Sequence, residues 1–190
     1  MQFTAATILA TLTALAAAAP APTPQLPVAE DPAYFGLIAI RSGSGVQNAG
    51  FSAANSSIFA ALPNQGASCD VQGQNFATFY LEGTALYLYA ASATPQQLYV
   101  DRSGMGQGKL GYTTGAQPTP RNAERDGFAL VDGSLVFDNA GLIACPNSID
   151  GAWSIWVSAG NDNPAGNSDC VGIGARAIET EEPVGCYYTS

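Results

Sequence analysis

From residue 34 onward no stretch sustains the 3.6-residue apolar period of an amphipathic helix, and that constrains the fold more than any motif. Apolar residues come instead in short runs rich in β-branched and aromatic side chains: 34–42, 56–62, 77–83, 85–91, 97–103, 109–115, 127–133, 134–140, 141–146, 153–159 and 171–179. Gly, Pro, Asn, Asp or Ser bounds each run. Asp132-Gly133, between FALV and SLVF, is a two-residue hairpin signal, and Glu82-Gly83 resembles it more weakly. Strands at this spacing predict an all-β domain, a compact disulfide-bonded barrel or β-trefoil-like fold, with a β-sandwich as the alternative. For a trefoil the units fall near 34–75, 76–120 and 127–180.

The N-terminus belongs to a different regime. MQFTAATILATLTALAAAAP has a short polar start, an Ala/Leu/Thr stretch and small residues at its end, the pattern of a secretory signal peptide over 1–18. Residues 19–33 (APAPTPQLPVAEDPA with its flanks) form a Pro-rich linker, and 34–190 form one domain. Cys69, Cys145, Cys170 and Cys186 then meet an oxidising compartment, and an even number predicts two disulfides with three possible connectivities. A hairpin turning at Glu181-Glu182-Pro183 would hold Cys170 about seven residues, roughly 23 Å, from Cys186, which disfavours that pair.

Charge excludes several functions. Six Lys/Arg oppose 15 Asp/Glu, a net charge of −9, so no basic surface is available for nucleic acid. With no histidine and no C-x-x-C pair, neither a Ser-His-Asp triad nor a zinc site is expected, and no cofactor or catalytic residue is assigned. Gly106-Gln-Gly108-Lys-Leu-Gly111 matches G-x-G-x-x-G formally, but a short strand follows where a nucleotide site needs a helix. SGMGQG therefore predicts a glycine hairpin loop, with Asp101, Arg102 and Lys109 available to a polar partner. Asp101, Asp126, Asp132, Asp138 and Asp150 could supply a glycosidase carboxylate pair, although Asp132, Asp138 and Asp150 sit in turn sequences. Trp153 and Trp156 are three apart, so a strand puts them on opposite faces: one in the core, one available for stacking on sugar rings. Asn55, in Asn-Ser-Ser, is the single N-glycosylation sequon.

NQGASCD (64–70), LYLYAASATPQQLYVDRSGMGQGKLGYTTGAQPTPRNAERDGF (86–128), GLIACP (141–146) and DGAWSIWVSAGNDNPAGNSDC (150–170) together resemble the PhiA family of fungal cell-wall proteins. The likeness covers essentially the whole mature chain, and 94–125 is its most specific part. Residues 135–145, L-x-F-D-x-A-x-L-x-A-C, are also similar to cysteine-containing domains of other fungal wall proteins. The resemblance implies a secreted, non-catalytic wall glycoprotein needed for phialide and conidium development and linked with stress protection. It implies wall polysaccharide (chitin or glucan) or other wall proteins as partners. Neither a GPI-type hydrophobic tail nor a Gln-rich repeat is expected from the sequence, so attachment should be non-covalent, with no membrane anchor. The other class of function is a secreted carbohydrate-binding module or small carboxylate-based glycosidase.

Overall fold

The computed structural model describes residues 33–90 and 94–190. The signal peptide and all of the linker up to residue 32 lie outside the described residues. Fourteen strands follow: β1 (Phe35–Ile40), β2 (Phe51–Ala54), β3 (Ser57–Ala60), β4 (Ser68–Cys69), β5 (Phe79–Glu82), β6 (Ala85–Leu88), β7 (Gln96–Asp101), β8 (Lys109–Thr114), β9 (Phe128–Val131), β10 (Ser134–Phe137), β11 (Leu142–Cys145), β12 (Trp153–Val157), β13 (Val171–Glu179) and β14 (Cys186–Tyr187). Short 3-10 turns at Ile149–Gly151 and Pro164–Gly166 are the helical elements among the described residues.

All pairings are antiparallel, and the large sheet runs β1-β5-β6-β7-β8-β3-β12-β11-β13-β10-β9. β13 also pairs β1 along six residues, from Phe35↔Glu179 to Ile40↔Gly174, so the ladder closes on itself. Arg176 faces Ile38 of β1 and Ser134 of β10, which places those strands on opposite edges of β13. Closure is uneven: β1–β5 and β8–β12 each meet through one residue pair. The all-β class is as the sequence predicts; the result is not a clean barrel, and a sandwich description accommodates it equally.

Period-2 alternation explains the core. Phe35, Leu37 and Ala39 point inward from β1, as do Leu86 and Leu88 from β6, Ile155 and Val157 from β12, and Ile173 and Ala175 from β13. Phe79 is fully buried, and burying such a side chain contributes about 1.5–3 kcal/mol. Asp132 (φ 50°) and Gly133 (φ 71°) both adopt the left-handed region, the geometry that lets a two-residue turn join Val131 to Ser134. The β5–β6 turn lies one residue beyond the sequence signal: Glu82 pairs with Ala85, so Gly83-Thr84 makes the turn, with Gly83 at φ 62°.

The expected hairpin between 170–179 and 185–189 does not form. β13 is taken by β1, and β14 crosses instead to β4, with Cys186↔Cys69 and Tyr187↔Ser68 in register. Cys69 bonds Cys186 and Cys145 bonds Cys170, with Cα atoms 4.0 and 4.1 Å apart. The C-terminal segment is held further by Gln96, which is fully buried. Its Nε2 donates to Thr114 Oγ1 and to the Tyr188 carbonyl, both at 2.9 Å, and its Oε1 accepts the Tyr188 amide at 3.0 Å. A buried amide with these partners satisfied fixes register, whereas an unpaired one would oppose folding.

Candidate functional site

Alternation along β12 separates the two tryptophans. Trp153 shares a face with Ile155 and Val157 and packs against the core. Trp156 shares the outer face with Ser154, whose Oγ accepts the indole Nε1–H at 2.9 Å. Register then supplies a neighbour that spacing alone does not reveal, because Trp156 pairs with Lys109 at the start of β8. The Lys109 ammonium lies 5.6 Å from the indole centroid, a cation–π distance, and donates to Ser57 Oγ at 2.6 Å. Burial lowers the Lys109 pKa, since a desolvated ammonium is less stable than in water.

Around this pair lies a cleft of about 260 Å³ whose polar lining includes Ser57, Lys109, Ser148, Ser154 and Asn167. Hydroxyls, an amide, an ammonium and an indole edge can bind a polyhydroxylated ligand by hydrogen bonds and apolar contact. One face of the indole carries Lys109, so a sugar ring must use the other face or the edge.

The glycine loop is part of this architecture. β7 and β8 pair from Gln96↔Thr114 to Asp101↔Lys109, leaving 102–108 as a hairpin loop. Gly108 has φ 92°, and a Cβ there would meet the Val157 carbonyl oxygen at 2.0 Å. Its own carbonyl accepts the Val157 amide at 2.8 Å. Gly108 is thus glycine because its φ is positive and two backbones touch. The Gln107 Oε1 accepts from Asn161 Nδ2 and the Ala165 amide, both at 2.8 Å, which fastens the 161–167 segment beside the Trp156 cleft.

Asp101, Arg102 and Lys109 do not line one loop surface. Asp101 Oδ1 accepts the Ser103 amide at 3.0 Å inside the loop. Arg102 binds both Glu124 and Asp138, and its guanidinium lies 4.9 Å from the Phe137 centroid. The hydrogen bond from Arg102 holds the Glu124 carboxyl below the usual carboxylate range, and Glu124 in turn holds the guanidinium charged. Lys109 alone of the three joins the cleft.

Of the candidate carboxylates, three lie at turn positions. Asp132, Asp138 and Asp150 sit at φ 50°, 47° and 50°, left-handed positions that Asp tolerates better than most residues. Asp126 forms an isolated bridge with Ala85. Among the described residues no group of three His, Cys, Asp or Glu side chains could hold a metal ion. Asn55 lies exposed at the β2–β3 turn with φ 48°. Sequence reasoning passed over the outer-face tyrosines Tyr34, Tyr80, Tyr87 and Tyr89, although the alternation in ALYLY (85–89) carries a signal for them.

Among described residues, no helix is long and apolar enough to cross a membrane. The family model described as PhiA-like secreted protein matches residues 35–189, most of the chain. The chain belongs to this family. A relative named cell wall protein phiA from Aspergillus fumigatus is 60% identical over 181 residues, covering 95% of this chain and 94% of the relative. One of the same name from Emericella nidulans is 54% identical over 192 residues and covers all of both chains. The Arthroderma benhamiae protein so named is 40% identical over 152 residues, 76% of this chain and 81% of its own length. No solved structure matches the chain.

Proposed function

We propose that this member of the PhiA-like family is a non-catalytic protein of the fungal cell wall, held by non-covalent binding to chitin or glucan or to other wall proteins. The observation that carries the reading is the Trp156 cleft, where an outward indole is set among Ser57, Ser148, Ser154 and Asn167. That lining offers apolar edge and hydrogen bonds, and its described residues include no Asp or Glu for the carboxylate pair of a glycosidase. The wall location is supported by the names of the relatives. The same likeness supports a role in asexual development, in phialide and conidium formation and sporulation, and in stress protection, with Asn55 carrying an N-glycan.

The test uses purified, disulfide-intact protein mixed with insoluble chitin or β-glucan. Bound protein and released reducing sugar are measured in the same tube. Saturable binding that Trp156→Ala weakens, with no reducing sugar released, is the expected result. Sugar release would replace this reading with a glycosidase, and absence of binding to either polymer would remove polysaccharide as the partner.

A further inference from the structure

A second cleft lies on the outer face of β1, β5 and β6, away from Trp156. Its tyrosines follow from register: Phe35↔Phe79 and Tyr80↔Tyr87 pair across the strands, so Tyr34, Tyr80, Tyr87 and Tyr89 share the face opposite the core. A solvent face of an antiparallel sheet is ordinarily polar, and four phenols collected there need a reason. They are not parallel tiles. Tyr34 meets Tyr89 at 4.7 Å and Tyr80 at 6.0 Å, each at an interplanar angle of 60°, while Tyr80 is backed by stacked Tyr87 at 5.2 Å.

The rings of Tyr34, Tyr80 and Tyr89 line a cleft of about 360 Å³, within the roughly 300–1,000 Å³ range of small-ligand sites. Glu82 is the one charged residue among its described lining, and it makes no ion pair with any described residue. Angled phenol faces attract a cation through the ring quadrupole, and a carboxylate at the rim adds a charge-assisted hydrogen bond. Among its described lining there is no Lys or Arg, and the chain's net charge is −9, so an anionic polymer is opposed at short and long range. Burial, and then the Glu82 charge, raise the Tyr80 pKa, which keeps that phenol neutral and able to donate.

We infer that the Tyr34–Tyr80–Tyr89 cleft with Glu82 binds a protonated amino sugar, the glucosamine unit of a partly deacetylated polysaccharide. The ammonium meets the ring faces and Glu82, and the pyranose C–H edges meet Pro95. That such a polymer is the source rests on the wall reading above; the chemistry of the cleft does not.

The experiment is calorimetric titration of the disulfide-intact protein with a glucosamine tetramer and, separately, with its fully N-acetylated counterpart. Acetylation removes the charge and leaves the ring. Saturable binding of the amine form, with the acetylated form at least about tenfold weaker, is expected for a cation held by a carboxylate and ring faces. Glu82→Gln should weaken binding roughly tenfold and Tyr34→Leu severalfold. Glu181→Gln, which removes an exposed charge elsewhere, should leave it unchanged. Thermal midpoints of the variants establish that each is folded, and Glu82, exposed in a hairpin, is the variant least able to disturb the fold. Equal binding of the acetylated tetramer, equal loss with Glu181→Gln, or no effect of Glu82→Gln each overturns the proposal. Because the titration needs no wall, a protein that binds the tetramer but neither insoluble polymer refutes the wall reading alone.

Discussion

Removing each disulfide by a paired alanine substitution should cost unequal amounts, in an order set by the connectivity. Cys69 and Cys186 are 117 residues apart, Cys145 and Cys170 only 25. In the chain-entropy treatment a cross-link stabilises by restricting the unfolded chain, by about 4.9 kcal/mol for the longer loop and about 3.5 kcal/mol for the shorter. Local packing losses are matched, because Cys186 and Cys145 are both fully buried while Cys69 and Cys170 are partly exposed. The difference of about 1.4 kcal/mol should therefore survive, a tenfold difference in the unfolding constant. Urea unfolding of Cys69→Ala/Cys186→Ala and Cys145→Ala/Cys170→Ala, beside the intact protein, reads it directly. In thermal scans the same losses correspond to roughly 10–20 °C and 7–14 °C. If the Cys145/Cys170 variant is the less stable of the two, the bridges act through native packing and the reasoning fails.

Gly108→Ala should destabilise by about 1–3 kcal/mol through its φ of 92° and the Val157 carbonyl, whereas Gly104→Ala, with nothing within 4 Å of its Cβ, should be near neutral; chemical denaturation of both checks this. Gln96→Ala leaves the Tyr188 amide and carbonyl without their partner in a buried site and should cost about 1–3 kcal/mol, seen as early hydrogen exchange at the C-terminal segment before the rest of the fold opens. Arg102 lowers the Glu124 pKa in the folded state, so the stability this pair adds is present above the ordinary carboxylate pKa and is lost as pH falls through the lower folded value. Glu124→Gln should flatten that acid limb by no more than about 1 kcal/mol, as befits a partly exposed pair, and should leave stability at higher pH without a matching pH dependence. Asn55→Asp, which Asp tolerates at φ 48°, should abolish any endoglycosidase-releasable mass on the secreted protein.

Most strands were legible because one face of each is buried, and that prints a period of two on the sequence. β2 was not. All four of its residues, FSAA, are buried, so no alternation marks it, and Ser-Ala-Ala lacks the bulky apolar run that marks the equally buried LIAC of β11. β4 and β14 have two residues each and exist because a disulfide and Gln96 bring them to their partners. The misplaced hairpin has a similar cause. Glu181-Glu182 does lie in a bend, but β13 is closed by β1 from the far end of the chain, a pairing with no local signature. At the site, spacing alone put Trp153 and Trp156 on opposite faces. The partnership of Trp156 with Lys109 needed the register between β12 and β8, which two short runs 40-odd positions apart do not encode locally. The glycine loop was recognisable as a hairpin, while its second duty, the close approach of Gly108 to Val157, depends on that same register.

The proposal that this protein is a non-covalent wall component is tested most directly by fractionating the walls of a strain that makes it at its normal level. Walls are washed, extracted with hot detergent, then digested with glucanase and chitinase, and the protein is quantified in each step by mass spectrometry. The account predicts that it stays with washed walls, leaves in hot detergent, and carries no attached sugar other than a glycan at Asn55. Retention until enzymatic digestion, or recovery of essentially all of it in the culture medium, would contradict it.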